Sequence, residues 1–444
     1  MKNIFEGQPK GLFLLFAVEM WERFSYYGMR ALLVLYLIQY LFKSLDTTTA
    51  TQYAGNIYGW YTGLVYLTPL AGGYIADRFL GQRKCISIGA VLMTIGLFLL
   101  SASDFSMFVN YNFIIFTLGL VLMVISNGFI KSNISTIVGM LYGDDKQGRD
   151  TGFTIFYMGI NLGAFLSPLI CGTLASLYGF KYGFTAAGCG ILIGYFIYKL
   201  GENKLLGEHG LAPYKENLTQ INEERELRLR EKRKIWALFV LMAFSIIFWS
   251  CYEQAGCSMA LFAENETNRL IPFLGKSFMV PSQYFQSLNP LFIITFAPIM
   301  SAVWAFLHSK KAEPNSVVKF NFALFFIACS FLTMSIAAYF AKTNPVSPLW
   351  LIIAFWIATI AELCISPIGL SLVTKLAPAK FASLLMGCWF LSSFVGNLSA
   401  GIFAGFYEKI PHNIFYLALA TTALFVALIL FLLTPLLKKW IGKY

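Results

Sequence analysis

The sequence predicts an all-α integral membrane protein with twelve transmembrane helices in two groups of six. Three observations carry that prediction. Hydrophobic residues make up 58% of the 444-residue chain and charged residues only 12%, with a mean hydropathy of +0.67; a soluble chain averages about 25% charged residues. Twelve stretches are apolar enough, and long enough, to cross a hydrocarbon core of about 30 Å, which takes roughly 20 helical residues. A strongly charged stretch, 201–234, divides them six and six.

The first span, 12–42, exceeds a signal-peptide core and lacks a small-residue cleavage site, so it is expected to remain as a helix. In the second, 52–77, Gly55, Gly59 and Gly63 recur every fourth residue, a spacing that lets helices approach closely. The third and fourth run over 84–103 and 111–142, the fifth and sixth over 152–177 and 182–200. Between the groups, Glu223 to Lys234 alternates acid and base; it reads as a solvated, helical tether, with a regulatory surface as the alternative. The remaining spans are 235–262, 283–308, 318–340, 348–375, 381–407 and 413–437. Pro69, Pro168, Pro298 and Pro367 fall inside spans, where neighbouring helices can satisfy the freed backbone groups. They suit either gates or ordinary kinks. The expected domains are a six-helix bundle over 1–200, a cytoplasmic linker over 201–234, and a second bundle over 235–444.

Orientation follows from Lys and Arg, which concentrate on the cytoplasmic side of membrane proteins. With both termini inside, 24 of the 33 basic residues fall on that side, 6 fall outside, and Arg23, Arg30 and Lys131 lie within spans. The net charge of +11 then needs no nucleic acid; a cytoplasmic surface facing anionic lipid accounts for it. The eight cysteines are scattered through apolar runs without a CxxC pair, and His209, His308 and His412 sit at loops or helix ends. No metal or other cofactor is expected. An intramembrane enzyme lacks the nucleophile–base or metal set it would need.

Seven ionisable residues lie well inside spans: Glu19, Glu22, Arg23, Arg30, Lys131, Glu253 and Glu362. Facing lipid, they would together cost on the order of 20 kcal/mol. They must therefore face one another or a wet pathway. At 100° per residue, Glu19, Glu22, Arg23, Tyr26, Tyr27 and Arg30 fall within an arc of about 140° on the first helix. Salt bridges that merely lock helices are the alternative reading. The first half carries the bases Arg30 and Lys131 and the second the acids Glu253 and Glu362, a bipolar distribution suited to a zwitterion. Four acids against three bases leave one negative charge, which one proton would neutralise.

Several motifs resemble those of the proton-dependent oligopeptide transporters of the major facilitator superfamily, bacterial type. The helix 1 motif is Glu19-x-x-Glu22-Arg23-Phe-x-Tyr26-Tyr27-Gly28. The run from Gly72 through Asp77-Arg78 to Gly81-Gln-Arg83-Lys84 resembles the superfamily's loop 2–3 signature, and Phe156-Tyr157 to Asn161-Leu-Gly163 a helix 5 motif. Phe248-Trp249 with Glu253-Gln254-x-Gly256, then Glu362, Ser366-Pro-Ile-Gly-Leu370 and Trp389-Phe-Leu, resemble helices 7, 10 and 11.

The resemblance implies a proton-coupled symporter that imports di- and tripeptides by alternating access, not an enzyme, with protons as coupling ion. It implies proton-coupling roles for Glu19, Glu22, Arg23, Lys131 and Glu253, with Lys131 pairing with Glu253. It further implies peptide binding by Tyr27, Arg30, Tyr66, Lys131 and Asn161 at the carboxyl end. Asn289 and Glu362 would receive the amino end, and Trp389 and Ser393 would shape a side-chain pocket. The partners are small peptides, protons and the lipid bilayer. A monomer in the plasma (inner) membrane is expected. A proton-coupled carrier of nitrate or a small organic anion, or a passive facilitator, remains open. Two departures stand out: Lys131 is followed by Ser132 where the family commonly has proline, and Cys257 stands where serine is usual. The first puts the family's helix 4 bend in question.

Overall fold

A computed structural model describes residues 6–105, 107, 110–143, 145–211, 213, 229–273, 276–376 and 382–441. Most of the charged linker lies outside the described residues, as do Lys2, Lys380 and Lys443 of the orientation argument.

Helix α1 (Lys10–Tyr36) begins after Pro9 and continues through a wider-wound turn at Leu37–Leu41. Helix α2 (Thr47–Ile75) ends in a similar turn, Ala76–Leu80, and Gly81 then reverses the chain with φ of 77° into α3 (Gln82–Ala102). Helix α4 spans Asn112–Met140 without a break at Lys131–Ser132, and α5 spans Lys146–Tyr178. Asp145 caps α5 by accepting the Gly148 amide at 3.0 Å, satisfying one of the free N–H groups of the first turn. Helix α6 covers Phe180–Leu205.

The seventh expected span is not one helix. Helix α7 (Leu229–Tyr252) stops at a 3₁₀ turn, Glu253–Gly256, and α8 (Ser258–Asn265) resumes. A β-hairpin follows, β1 (Leu270–Phe273) pairing antiparallel with β2 (Lys276–Met279) in the register Leu270 to Met279. Apart from this short hairpin the described residues are almost entirely helical, as the all-α class expects. Arg269 pins its base, donating to the Val280 and Glu264 carbonyls at 3.1 Å each and pairing with the Glu264 carboxylate at 2.9 Å. A 3₁₀ stretch, Ser282–Ser287, leads into α9 (Leu288–Ser309), followed by α10 (Ser316–Phe340), α11 (Leu349–Leu376), α12 (Ala382–Ala404) and α13 (His412–Ile441).

Ten helical stretches among the described residues are long and apolar enough to cross a membrane. Helices α1 and α2 match them in length, at 27 and 29 residues.

The chain forms two compact units. The first comprises residues 1–43, 64–216 and 281–290; the second comprises 44–63, 217–280 and 291–444. In the first, α1 packs on α5 and α6, and α3 on α4 and α6. In the second, α7 packs on α12 and α13, and α10 on α11 and α13. Counted in order of membrane passage, these are the same four pairings. The expected small-residue contact of α2 is present in the second unit. A Cβ on Gly401 of α12 would lie 2.2 Å from the Gly55 carbonyl oxygen, closer than any real side chain approaches.

Candidate functional site

The charged face of α1 is buried, Glu22 completely and Glu19, Arg23 and Tyr26 nearly so. Helix α5 lies hard against this turn because Gly163 has no side chain: a Cβ there would be 2.2 Å from the Met20 carbonyl oxygen. Arg23 donates from Nη2 to Glu22 Oε1 at 2.7 Å and from Nε to Glu22 Oε2. Its Nε also lies 3.2 Å from Glu19 Oε1. From α4, Asn127 Oδ1 accepts a bond from Arg23 Nη2 at 3.4 Å, while the Asn127 amide nitrogen donates to the Met123 carbonyl at 2.9 Å. The guanidinium carbon is 5.1 Å from the centre of the Tyr26 ring.

Two carboxylates thus share one guanidinium. Glu22 is gripped by two nitrogens and Glu19 by one. The second oxygen of Glu19, Oε2, is buried and has no hydrogen-bond partner among the described residues. A buried acceptor left without a hydrogen bond costs free energy. A proton on that oxygen makes the cluster neutral, so the arrangement is able to take up and release one proton.

Other expected residues of this unit are cations backed by aromatic faces. The Arg30 guanidinium lies 5.8 Å from the Tyr27 ring centre, and the Lys131 ammonium 4.4 Å from that of Tyr66. Such contacts help hold a cation in place. Asn161 is buried on α5, its amide nitrogen donating to the Tyr157 carbonyl at 2.9 Å. Asn289 is half-buried in the 281–290 segment that belongs to this unit.

In the second unit, Glu253 opens the turn that interrupts α7 and is 2% exposed. Its Oε2 accepts the Tyr58 hydroxyl at 3.1 Å. Gly256 leaves room for that hydroxyl, which a Cβ would meet at 2.0 Å. Gln254 holds the turn to α12, donating to the Ala400 carbonyl at 2.9 Å. Glu362 on α11 accepts the Tyr252 hydroxyl at 2.6 Å. Trp389 is buried, edge-on to Phe320, with one edge of its indole over Gly369. Ser393 is buried one turn further along α12. Two buried polar atoms, Trp249 Nε1 and Ser366 Oγ, have no hydrogen-bond partner among the described residues; such groups need a water or a ligand.

Three partners escaped the sequence reading: Asn127, Tyr58 and Tyr252. Asn127 sits one helical turn before Lys131, the one signal that pointed to it. Among the described residues, no group of three or more His, Cys, Asp or Glu side chains is placed to hold a metal ion.

Comparison with known proteins bears on this arrangement. A family profile, PTR2, described as the POT family, matches residues 83–210 and 211–422. The uncharacterized transporter YclF of Bacillus subtilis (strain 168) is 34% identical, covering 98% of this chain and 95% of its own. The di-/tripeptide transporter of Lactococcus lactis subsp. cremoris is 32% identical over 99% and 98% of the two chains. A crystal structure of the peptide transporter POT in complex with sulfate superposes with a TM-score of 0.88 at 30% identity, covering 99% of this chain and 97% of that one. The protein is a multi-pass membrane protein, and by family match, sequence and fold together the chain belongs to the POT family.

Proposed function

We propose that this protein is a proton-coupled symporter that imports di- and tripeptides by alternating access. It sits in the plasma (inner) membrane with both termini in the cytoplasm, and works as a monomer. One observation carries the coupling: two buried carboxylates, Glu19 and Glu22, compete for Arg23, and one carboxylate oxygen is left without a partner among the described residues. The peptide substrate is supported by family membership and by the named activity of the Lactococcus relative.

A proton enters on Glu19 Oε2 and removes the cluster's excess negative charge. Arg23 then belongs to Glu22 alone, and α1 loses one of the ties along its buried face. Release of the proton on the other side restores the second tie. Glu253 and Lys131 complete the proton-coupling set. Tyr27, Arg30, Tyr66, Lys131 and Asn161 receive the peptide's carboxyl end by charge and hydrogen bonding. Asn289 and Glu362 receive its ammonium, and Trp389 with Ser393 bounds a side chain.

The test is uptake of labelled dialanine into proteoliposomes under an imposed pH gradient, acidic on the entry side. The protein accumulates dialanine, and excess di- and tripeptides but not nitrate compete. Glu19→Gln abolishes uphill uptake while counterflow persists. Retained gradient-driven accumulation by Glu19→Gln refutes the coupling assignment, and competition by nitrate refutes the peptide reading.

A further inference from the structure

An open groove of about 710 Å³ runs between α10 and α13. Its walls are Phe322 and Phe325 on one helix and Phe431, Leu432 and Pro435 on the other. Phe431 and Leu432 are 65% and 68% exposed, so the groove opens on the lipid-facing side of two membrane-crossing helices. Pro435 lacks the N–H that would bond the Phe431 carbonyl and crowds that turn of α13. From Phe431 to Lys438 the groove extends about 10 Å along α13.

Its far end is polar. Lys438 lines both this groove and an adjoining cavity of about 300 Å³, formed with Glu313, Asn315, Ser316 and Lys319. The acid in that cavity is already compensated: Lys319, only 8% exposed, pairs with Glu313 at 2.6 Å and also lies 4.5 Å from the Trp304 ring centre. One acid and two lysines leave a net charge of +1. Lys439 and Trp440 follow directly in sequence, residue types enriched where helices leave the hydrocarbon.

An apolar cleft facing the bilayer and ending in a small, net-positive chamber matches one kind of molecule, an amphiphile with an anionic head. We propose that the α10–α13 cleft is a binding site for a single anionic phospholipid, with its phosphodiester on Lys438 and its acyl chains between Phe322, Phe325 and Phe431. The inference rests on the membrane reading alone and is independent of the peptide substrate.

The test uses purified full-length protein, exchanged into detergent and titrated with phosphatidylglycerol or with phosphatidylcholine of identical chains. Bound lipid is counted by native mass spectrometry. Phosphatidylglycerol is expected to bind in preference, and Lys438→Ala to weaken it about five-fold, the equivalent of one basic residue near an anionic headgroup. Lys409→Ala, a substitution elsewhere on the same unit, leaves the preference unchanged. Glycerol 3-phosphate, which carries the head without the chains, does not compete at equal concentration. Equal binding of the two lipids overturns the proposal. So does an unchanged preference in Lys438→Ala, or competition by glycerol 3-phosphate.

Discussion

Arg23 grips Glu22 through two of its nitrogens, one of them at 2.7 Å, and reaches Glu19 through one at 3.2 Å. The inequality separates two acids that sit one turn apart and look interchangeable in sequence. Glu22 is the fixed counter-ion of the guanidinium. Glu19 is the acid with an oxygen to spare.

That division predicts different consequences for the two glutamines. Glu19→Gln places a neutral amide where the proton would reside, so the protein stays folded but is held in its protonated form. Its counterflow rate is expected to become insensitive to pH. Glu22→Gln instead removes the principal partner of a buried cation, and breaking such a pair costs roughly 3–5 kcal/mol. Its thermal midpoint in detergent should fall well below that of Glu19→Gln. Equal midpoints for the two variants would show that Arg23 holds both acids alike.

Tyr252 donates to Glu362 at 2.6 Å, fixing the carboxylate proposed to receive the peptide's ammonium. Tyr252→Phe removes a hydrogen bond to a charged group, worth about 1.5–3 kcal/mol, while keeping the ring that stacks on Phe248. The expected result is a KM for dialanine raised at least ten-fold, with coupling to the pH gradient intact. A KM within two-fold of the parent protein would remove Glu362 orientation from the account of binding.

Glu313, in the turn between α9 and α10, is held below the ordinary carboxylate range, chiefly by the hydrogen bond from Lys319, with His308 assisting against partial burial. A carboxyl with a depressed folded pKa contributes stability above its unfolded pKa, here near 4.5, and loses it as pH falls through the folded value. Glu313→Gln should therefore melt earlier than the parent at pH 7. Scanning the thermal midpoint downward in pH, the gap should narrow below about pH 4.5 and close at the acid end. A gap that stays constant with pH would mean that the lost contact is not ionic.

The membrane fold and the acid–base strip of α1 could be read from sequence for one reason. Charge in an apolar stretch has few physical explanations, and Glu19, Glu22 and Arg23 share one helix face whatever surrounds them. The partners were harder to see because their chemistry is common. Tyr58 and Tyr252 are two of 23 tyrosines, and only folding shows which of them reaches an acid. Asn127 looks like any amide in an apolar helix until Arg23 arrives from α1. Helix α7 reads as one apolar run through Glu253-Gln-Ala-Gly256, yet Gln254 spends its side chain on the Ala400 carbonyl and the helix gives way there. The hairpin after α8 escaped notice because its strands are four residues each, too short for an alternating pattern to stand out.

The four helix pairings that recur in both units are those a duplicated six-helix bundle would give. One six-helix sequence, copied and joined tail to head, would yield both. On that view the copies have since specialised: the opening helix of one acquired a guanidinium between two acids, while its counterpart in the other, α7, broke at Glu253. Asymmetry of charge laid over symmetry of backbone is what a duplicated scaffold needs before its two ends can do different work.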